Sequence, residues 1–194
     1  GLPVLTMTNT SLPGFASPAV GFDQPFEMLQ ACHERVERSL ALLQRLVAHV
    51  RDHGHDAASR SAARDVLRYF DLAAPHHHLD EERHVLPPLL ASDDAGLRAL
   101  AEQLVAEHRR MEALWAVLRE PLQQWADAPP ASTTFPLPQA LAEFIAVYAG
   151  HIAREEAHAY PQAQTLLDAT TLADMGEEMR ARRRTPATGR TGAP

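Results

Sequence analysis

Residues 77–87 read HHLDEERHVLP and residues 151–161 read HIAREEAHAYP. Both fit H-x-x-x-E-E-x-H-x-x-P, with five identities at the same spacing, 74 residues apart. Each stretch lies inside a long segment with helical periodicity. On such a helix a His and a Glu four residues apart stack on one face. Working outward from the pair, His33 precedes His77 by 44 residues and His108 precedes His151 by 43. The chain therefore reads as two helical hairpins, each supplying one His and then one His-x-x-x-Glu pair.

The apolar phase places these groups inward. Helix 1, about Pro25 to His53, carries His33, Val36, Leu40, Leu43, Val47 and Val50 at steps of three and four. Helix 2, about Ala57 to Leu90, carries Leu67, Phe70, Ala74, His77, Glu81 and Val85, with kinks expected at Pro75 and Pro87-Pro88. Helix 3, about Asp94 to Ala126, carries Leu97, Leu104, His108, Met111, Trp115, Leu118 and Leu122. Helix 4, about Pro138 to Asp168, carries Leu141, Phe144, Tyr148, His151 and Glu155. These stripes face a bundle core. Gly54, Ser92-Asp93-Asp94 and the proline-bearing stretch Asp127–Leu137 separate the helices.

A short fifth helix is expected over Thr171–Arg183, packed on the outside. The fold class is all-α: an up-down-up-down four-helix bundle with a short extra C-terminal helix. Residues 1–24 read as an irregular N-terminal arm, 25–185 as the domain and 186–194 as a disordered tail.

Height along the bundle is a second constraint. The midpoint of His33 and His77 is residue 55, that of His77 and His108 lies between Ser92 and Asp93, and that of His108 and His151 lies between Pro129 and Pro130. Each falls on or beside a turn signal chosen on other grounds, so the four histidines are predicted at one level of the core.

Buried polar groups are costly unless something satisfies them. Four imidazoles and two carboxylates exceed the needs of a four-coordinate structural zinc and suit two ions, with each glutamate able to bridge. Nitrogen and oxygen ligation without thiolate favours iron, with manganese or zinc as substitutes. The expected metal residues are His33, His77, Glu81, His108, His151 and Glu155. Glu112 stays open between a seventh ligand, an acceptor for an imidazole and a helix-surface charge. Glu82, Glu107 and Glu156 read as solvated or as imidazole partners. Met111, Trp115, Phe70, Phe144 and Tyr148 would form apolar walls around the site.

Composition excludes several classes. The 194 residues are 45% hydrophobic and 22% charged, an ordinary balance for one buried core. Eleven histidines are far above the usual share. The net charge of −7 argues against nucleic acid, and the basic run Arg180–Arg184 reads as a solvated tail. No apolar run approaches the roughly 20 residues that span a bilayer. The lone Cys32 leaves no disulfide framework and no Cys-based metal site. With no secretory signal among the first residues either, a cytoplasmic location is expected.

His33, His77-x-x-x-Glu81, Glu107-His108 and His151-x-x-x-Glu155 together resemble the hemerythrin-like (HHE cation-binding) domain family. Pro87, Pro161 and the closing run Glu178-Met179-Arg180-Ala181-Arg182-Arg183 add to the likeness, which covers about residues 25–185. The resemblance implies a non-haem centre of two iron ions, oxo- or hydroxo-bridged, with both glutamates bridging. It also implies a small diatomic or peroxide ligand and a monomer or homodimer.

Two positions depart from the oxygen-carrying hemerythrins. Glu112 stands where those have a second helix-3 histidine, and Glu155 is four, not five, residues after its histidine. A site richer in carboxylate points toward sensing or handling of oxygen, nitric oxide, peroxide or iron rather than reversible oxygen carriage. The alternative is a ferritin-like di-iron oxidase or ferroxidase using Glu81-x-x-His84 and Glu155-x-x-His158. Whether the protein is an enzyme stays open, since no separate acid, base or substrate pocket can be recognised.

Overall fold

Pro25 occupies the first turn of α1 (Pro25–His53), where a missing N–H is no loss. Gly54 closes that helix at φ 79°, a conformation open to glycine, with its N–H on the Val50 carbonyl. Asp56 and Ser59 then cap α2 reciprocally, side chain to backbone in both directions. The computed structural model describes residues 20–132, 137 and 139–184. Within it, α2 is a rod made of Ala57–Arg68, Ala74–Asp80 and Leu86–Leu90 joined by the π-helical turns Tyr69–Ala73 and Glu81–Val85.

Asp94 caps α3 (Ala95–Asp127) through the N–H groups of Gly96 and Leu97. Next comes α4, which joins Ala140–Arg154 to Tyr160–Leu166 through the π-helical turn Glu155–Ala159, and α5 covers Ala169–Arg184. The expected start of helix 4 at Pro138, most of the N-terminal arm and the tail from 186 lie outside the described residues.

Each rod packs on the next, α1 on α2, α2 on α3 and α3 on α4, as short connections require of an up-down-up-down bundle. All regular elements among the described residues are helical, and none is long and apolar enough to cross a membrane.

The expected kinks at Pro75 and Pro87 take a specific form. Each of the three π-helical turns ends two residues before a proline, at Pro75, Pro87 and Pro161. The residue between donates its N–H five residues back: Ala74 to Tyr69, Leu86 to Glu81 and Tyr160 to Glu155. A proline cannot donate and crowds the carbonyl of the preceding turn. Widening that turn by one residue accommodates it inside a continuing rod. The repeated E-E-x-H-x-x-P thus carries its own backbone instruction: the glutamate opens the wide turn and the proline follows it.

The apolar core falls into two clusters. One surrounds Val36, Leu40, Phe70, Met111, Leu118 and Phe144. The other surrounds Leu29, Val85, Leu89, Leu104, Met175 and Met179. Between them, in sequence on every rod, lie the buried His and Glu residues. The expected stripe of α2 is buried throughout; on α3 and α4 Leu97, Trp115 and Leu141 are half-buried and Leu114 is buried beside Trp115, and at the far end of α1 Leu46 is buried in place of Val47 and Val50. A straight helix drifts about 20° per heptad, so the inward face passes to a neighbouring position after two heptads.

Within the stretch expected as an irregular arm, Val20 and Phe22 pack against the second cluster while Asp23 and Gln24 are exposed. A Cβ on Gly176 of α5 would lie 2.0 Å from the Phe22 carbonyl oxygen, and the Phe22 ring lies beneath the Arg180 and Arg183 guanidiniums. Gly176→Ala must therefore push backbone away from backbone. It is expected to destabilise the protein by about 1–3 kcal/mol, read as a lowered midpoint in urea with little change in slope.

Candidate metal centre

Glu81 and Glu155 each open a π-helical turn on opposite rods, and both are buried with His33, His77, His108 and His151. His108 Nε2 lies 3.1 Å from His151 Nε2 and 3.2 Å from Glu81 Oε1. Glu155 Oε1 lies 3.0 Å from His151 Nε2 and 3.3 Å from His33 Nε2, and Glu81 Oε1 lies 3.4 Å from His77 Nε2. All four imidazoles meet at one height, as the turn midpoints require.

The donor atoms form two quartets. His33, His77, Glu81 and Glu155 offer atoms within 4.8 Å of one another, and so do Glu81, His108, His151 and Glu155. Both glutamates belong to both quartets.

This donor set fits cations. The two oxygens of Glu155 are buried without a hydrogen bond although imidazole nitrogens stand close by. Two Nε2 atoms face each other across the core, where at most one proton can sit between them. Such groups are tolerated inside a protein when something positive lies between them.

The outer edges of the rings are held. Glu156 lies 3.0 Å from His33 Nδ1, and Glu107 lies 3.0 Å from His151 Nδ1 while accepting from Arg154. Glu82, held by Arg109, stands 3.5 Å from His108 Nδ1, longer than a hydrogen bond. A carboxylate at Nδ1 keeps the proton on that side and turns the Nε2 lone pair inward. Glu156, which follows core Glu155, thus serves an imidazole on another rod, and Glu82, which follows Glu81, stands beside one. His78, 8% exposed, stacks on His108 at 4.2 Å between ring centres.

Burial pushes His77 down to about 3, and it lowers His78 and His151 too. His108 runs the other way: burial opposes its charge, but its hydrogen bond to Glu81 and that charge raise it. Burial would raise Glu81, yet the His77 and His108 rings hold it well below the usual range.

A group whose folded pKa is depressed takes up a proton first in the unfolded chain, so its contribution is present above about 6.5 and lost as pH falls toward 3. His108, raised, has the opposite sign. With four imidazoles lowered by burial, His76 among them, against one raised, chelator-treated protein should lose stability from pH 7 to pH 4.5, each net proton counting up to about 1.4 kcal/mol per pH unit. Thermal melts across that range check this, and a Tm that rises on acidification would refute it.

The other candidates separate cleanly. Glu112 is not brought to the cluster: its carboxylate is half exposed and accepts from Arg109 at 2.7 and 2.8 Å. Of the three readings left open for it, its position is that of a helix-surface charge, at the rim of a cavity of about 270 Å³. Phe70, Met111, Trp115 and Tyr148 do line that cavity, with His78 between it and the cluster, whereas Phe144 is fully buried. His84 turns away to Glu178 of α5, and His158 is exposed.

The run Arg180–Arg184 is not a solvated tail throughout. Arg182 and Arg183 both donate to the carboxylate of fully buried Asp80. His55 is buried and ties two turns together through Ser59 and the Ala128 carbonyl.

Tyr160 is the residue that sequence reasoning missed. Its hydroxyl donates to Glu81 Oε2 at 2.7 Å and lies 3.0 Å from His33 Nε2. The repeat held a signal: Tyr160 occupies the position that Leu86 has in the first copy, and a polar atom at one of two equivalent core positions marks an asymmetry.

An antiparallel bundle whose core converges four imidazoles and two shared carboxylates is a metal-binding protein of the helical class. The chain belongs to the hemerythrin family: the hemerythrin HHE cation binding domain matches residues 24–163. The family's metal is typically iron, and the two His/Glu quartets fit it. The chain is also similar to an uncharacterized protein of Haemophilus influenzae, at 31% identity over 162 residues, covering 84% of this chain and 91% of that protein.

Proposed function

We propose that this chain holds two iron ions side by side and uses them to sense or handle a small molecule (oxygen, nitric oxide or peroxide) or iron itself, in the cytoplasm. His33 and His77 would hold one ion and His108 and His151 the other, with Glu81 and Glu155 shared. The observation that carries this reading is that the two quartets have both glutamates in common. Iron held there supplies a one-electron redox change and open positions for a small ligand.

The chain's own residues supply the rest. Glu107 and Glu156 fix the ring tautomers of His151 and His33. The two apolar clusters keep water from either side of the polar layer. Tyr160 holds a hydroxyl proton on Glu81 Oε2 at the first quartet. The cavity beside His78 is lined by apolar and aromatic side chains, which suits entry of a small, uncharged molecule.

Metal analysis of the purified protein is the direct test, with optical spectra after anaerobic reduction and exposure to each candidate ligand. Two irons per chain are expected. His33→Ala should prevent binding of a full pair, whereas His84→Ala should leave it intact. The reverse pattern would overturn this reading in favour of the ferritin-like oxidase.

A further inference from the structure

Three of the four core imidazoles face a carboxylate on their outer edge, and His77 does not. Its Nε2 is turned to Glu81 and Tyr160, while its Nδ1 is buried with no hydrogen-bond partner. If Nε2 serves a cation, as proposed above, the ring proton sits on Nδ1 and needs an acceptor.

The space on that side is built from donors. His77 lines a cavity of about 150 Å³ together with Cys32, Arg35, Tyr69, His76 and Arg183. Among the described residues no carboxylate lines it. Arg35 and Tyr69 also line an adjoining groove of about 370 Å³ with Arg38 and Arg45. Among the described residues Arg35, Arg38 and Arg45 have no acidic partner. On a chain of net charge −7, a face of three arginines without an acidic partner among the described residues, leading to a buried imidazole nitrogen, is a local reversal of sign. The volume matches a small oxyanion, and guanidinium groups are the donors best shaped for one.

We propose that this cavity is a binding site for a small oxyanion of carboxylate to phosphate size, held by Arg35 and Arg183 and accepting the His77 Nδ1 proton. The anion would give His77 the acceptor that Glu156 and Glu107 give to His33 and His151. Its binding would thereby be linked to the metal centre; that coupling and the His77 contact rest on the preceding reading, whereas the arginine-lined cavity does not. Arg183 is shared with Asp80, so Arg35 is the group to remove.

The test is equilibrium dialysis of the metal-containing protein against radiolabelled inorganic phosphate at constant ionic strength, with metal measured on the same samples. A single saturable phosphate per chain is expected, displaced by formate. Arg35→Ala should weaken it by about tenfold or more with metal content unchanged, while Arg119→Ala, whose partner is Asp71, should not. Two results would overturn the site. One is a metal-loaded chain that takes up no phosphate at millimolar concentration, with water then satisfying His77. The other is phosphate binding that Arg35→Ala leaves intact, with the anion then on the metal. Phosphate held through Arg35 by a chain without metal would support the anion site and defeat the metal reading.

Discussion

Replacing Glu155 by alanine is expected to empty the whole metal centre, not half of it. The carboxylate belongs to both quartets, with Oε1 3.0 Å from His151 Nε2 and 3.3 Å from His33 Nε2. Its loss takes an anionic donor from each site at once and leaves two buried cations facing too little negative charge. Metal content should fall from about two to below ~0.2 per chain. The stabilisation that metal lends the fold should go with it, since that term exists only while the folded state binds. His33→Ala removes a donor from one quartet alone and is expected to leave metal in the His108–His151 quartet. Atomic absorption on both variants separates the outcomes. Equal losses in the two would show that the glutamates are not shared.

The second large effect is expected at Asp80→Ala, in a residue that binds no metal in this reading. Asp80 is fully buried on α2 and receives Arg182 and Arg183 from α5. Burial raises its pKa, and the hydrogen bond and charge of Arg183 act against that rise. The trio thus bears a desolvation cost that its pairing offsets. Deleting the carboxylate leaves Arg183 without an anion among the described residues, holding the Met179 carbonyl, and leaves Arg182, 8% exposed, with Glu178 alone. Breaking such a buried pair costs about 3–5 kcal/mol.

Because α5 is fastened here and by Met175 and Met179, its release should also expose the apolar cluster around Leu29, Val85 and Leu104. Denaturant unfolding reads the first effect, and protease cleavage within α5 reads the second. A variant within ~1 kcal/mol of the parent would mean the guanidiniums find water without cost.

Much of this was legible along the chain. Helix limits were set by local chemistry: Pro25 and Gly54 at the ends of α1, Asp56 with Ser59, and Asp94. They agree with the structure within one or two residues at most of the described ends. The inward placement of His77, Glu81, His151 and Glu155 followed from a period of three and four. The common level followed from equal distances to the turns. What could not be read were contacts between residues far apart in sequence. Glu112 and Glu81 are both glutamates in helices with a local partner, Arg109 three residues before one and His77 four residues before the other, and the His108 ring, 27 residues away, is what marks Glu81 as the one at the centre. Arg182 and Arg183 looked solvated because nothing nearby in sequence shows that Asp80 waits 102 and 103 residues away.

The sequence by itself determined the rods, their inward stripes, the height of the histidines and, through Glu and Pro six residues apart, the wide turns that present Glu81 and Glu155. These depend on the backbone's own hydrogen bonds, whose reach is four or five residues. Only the tertiary structure decided which carboxylate meets which imidazole, that the Tyr160 hydroxyl enters the centre, and that His77 is left facing arginines. Those pairings depend on side chains brought together from different rods, and no local rule encodes a distance between residues that are neighbours only after folding.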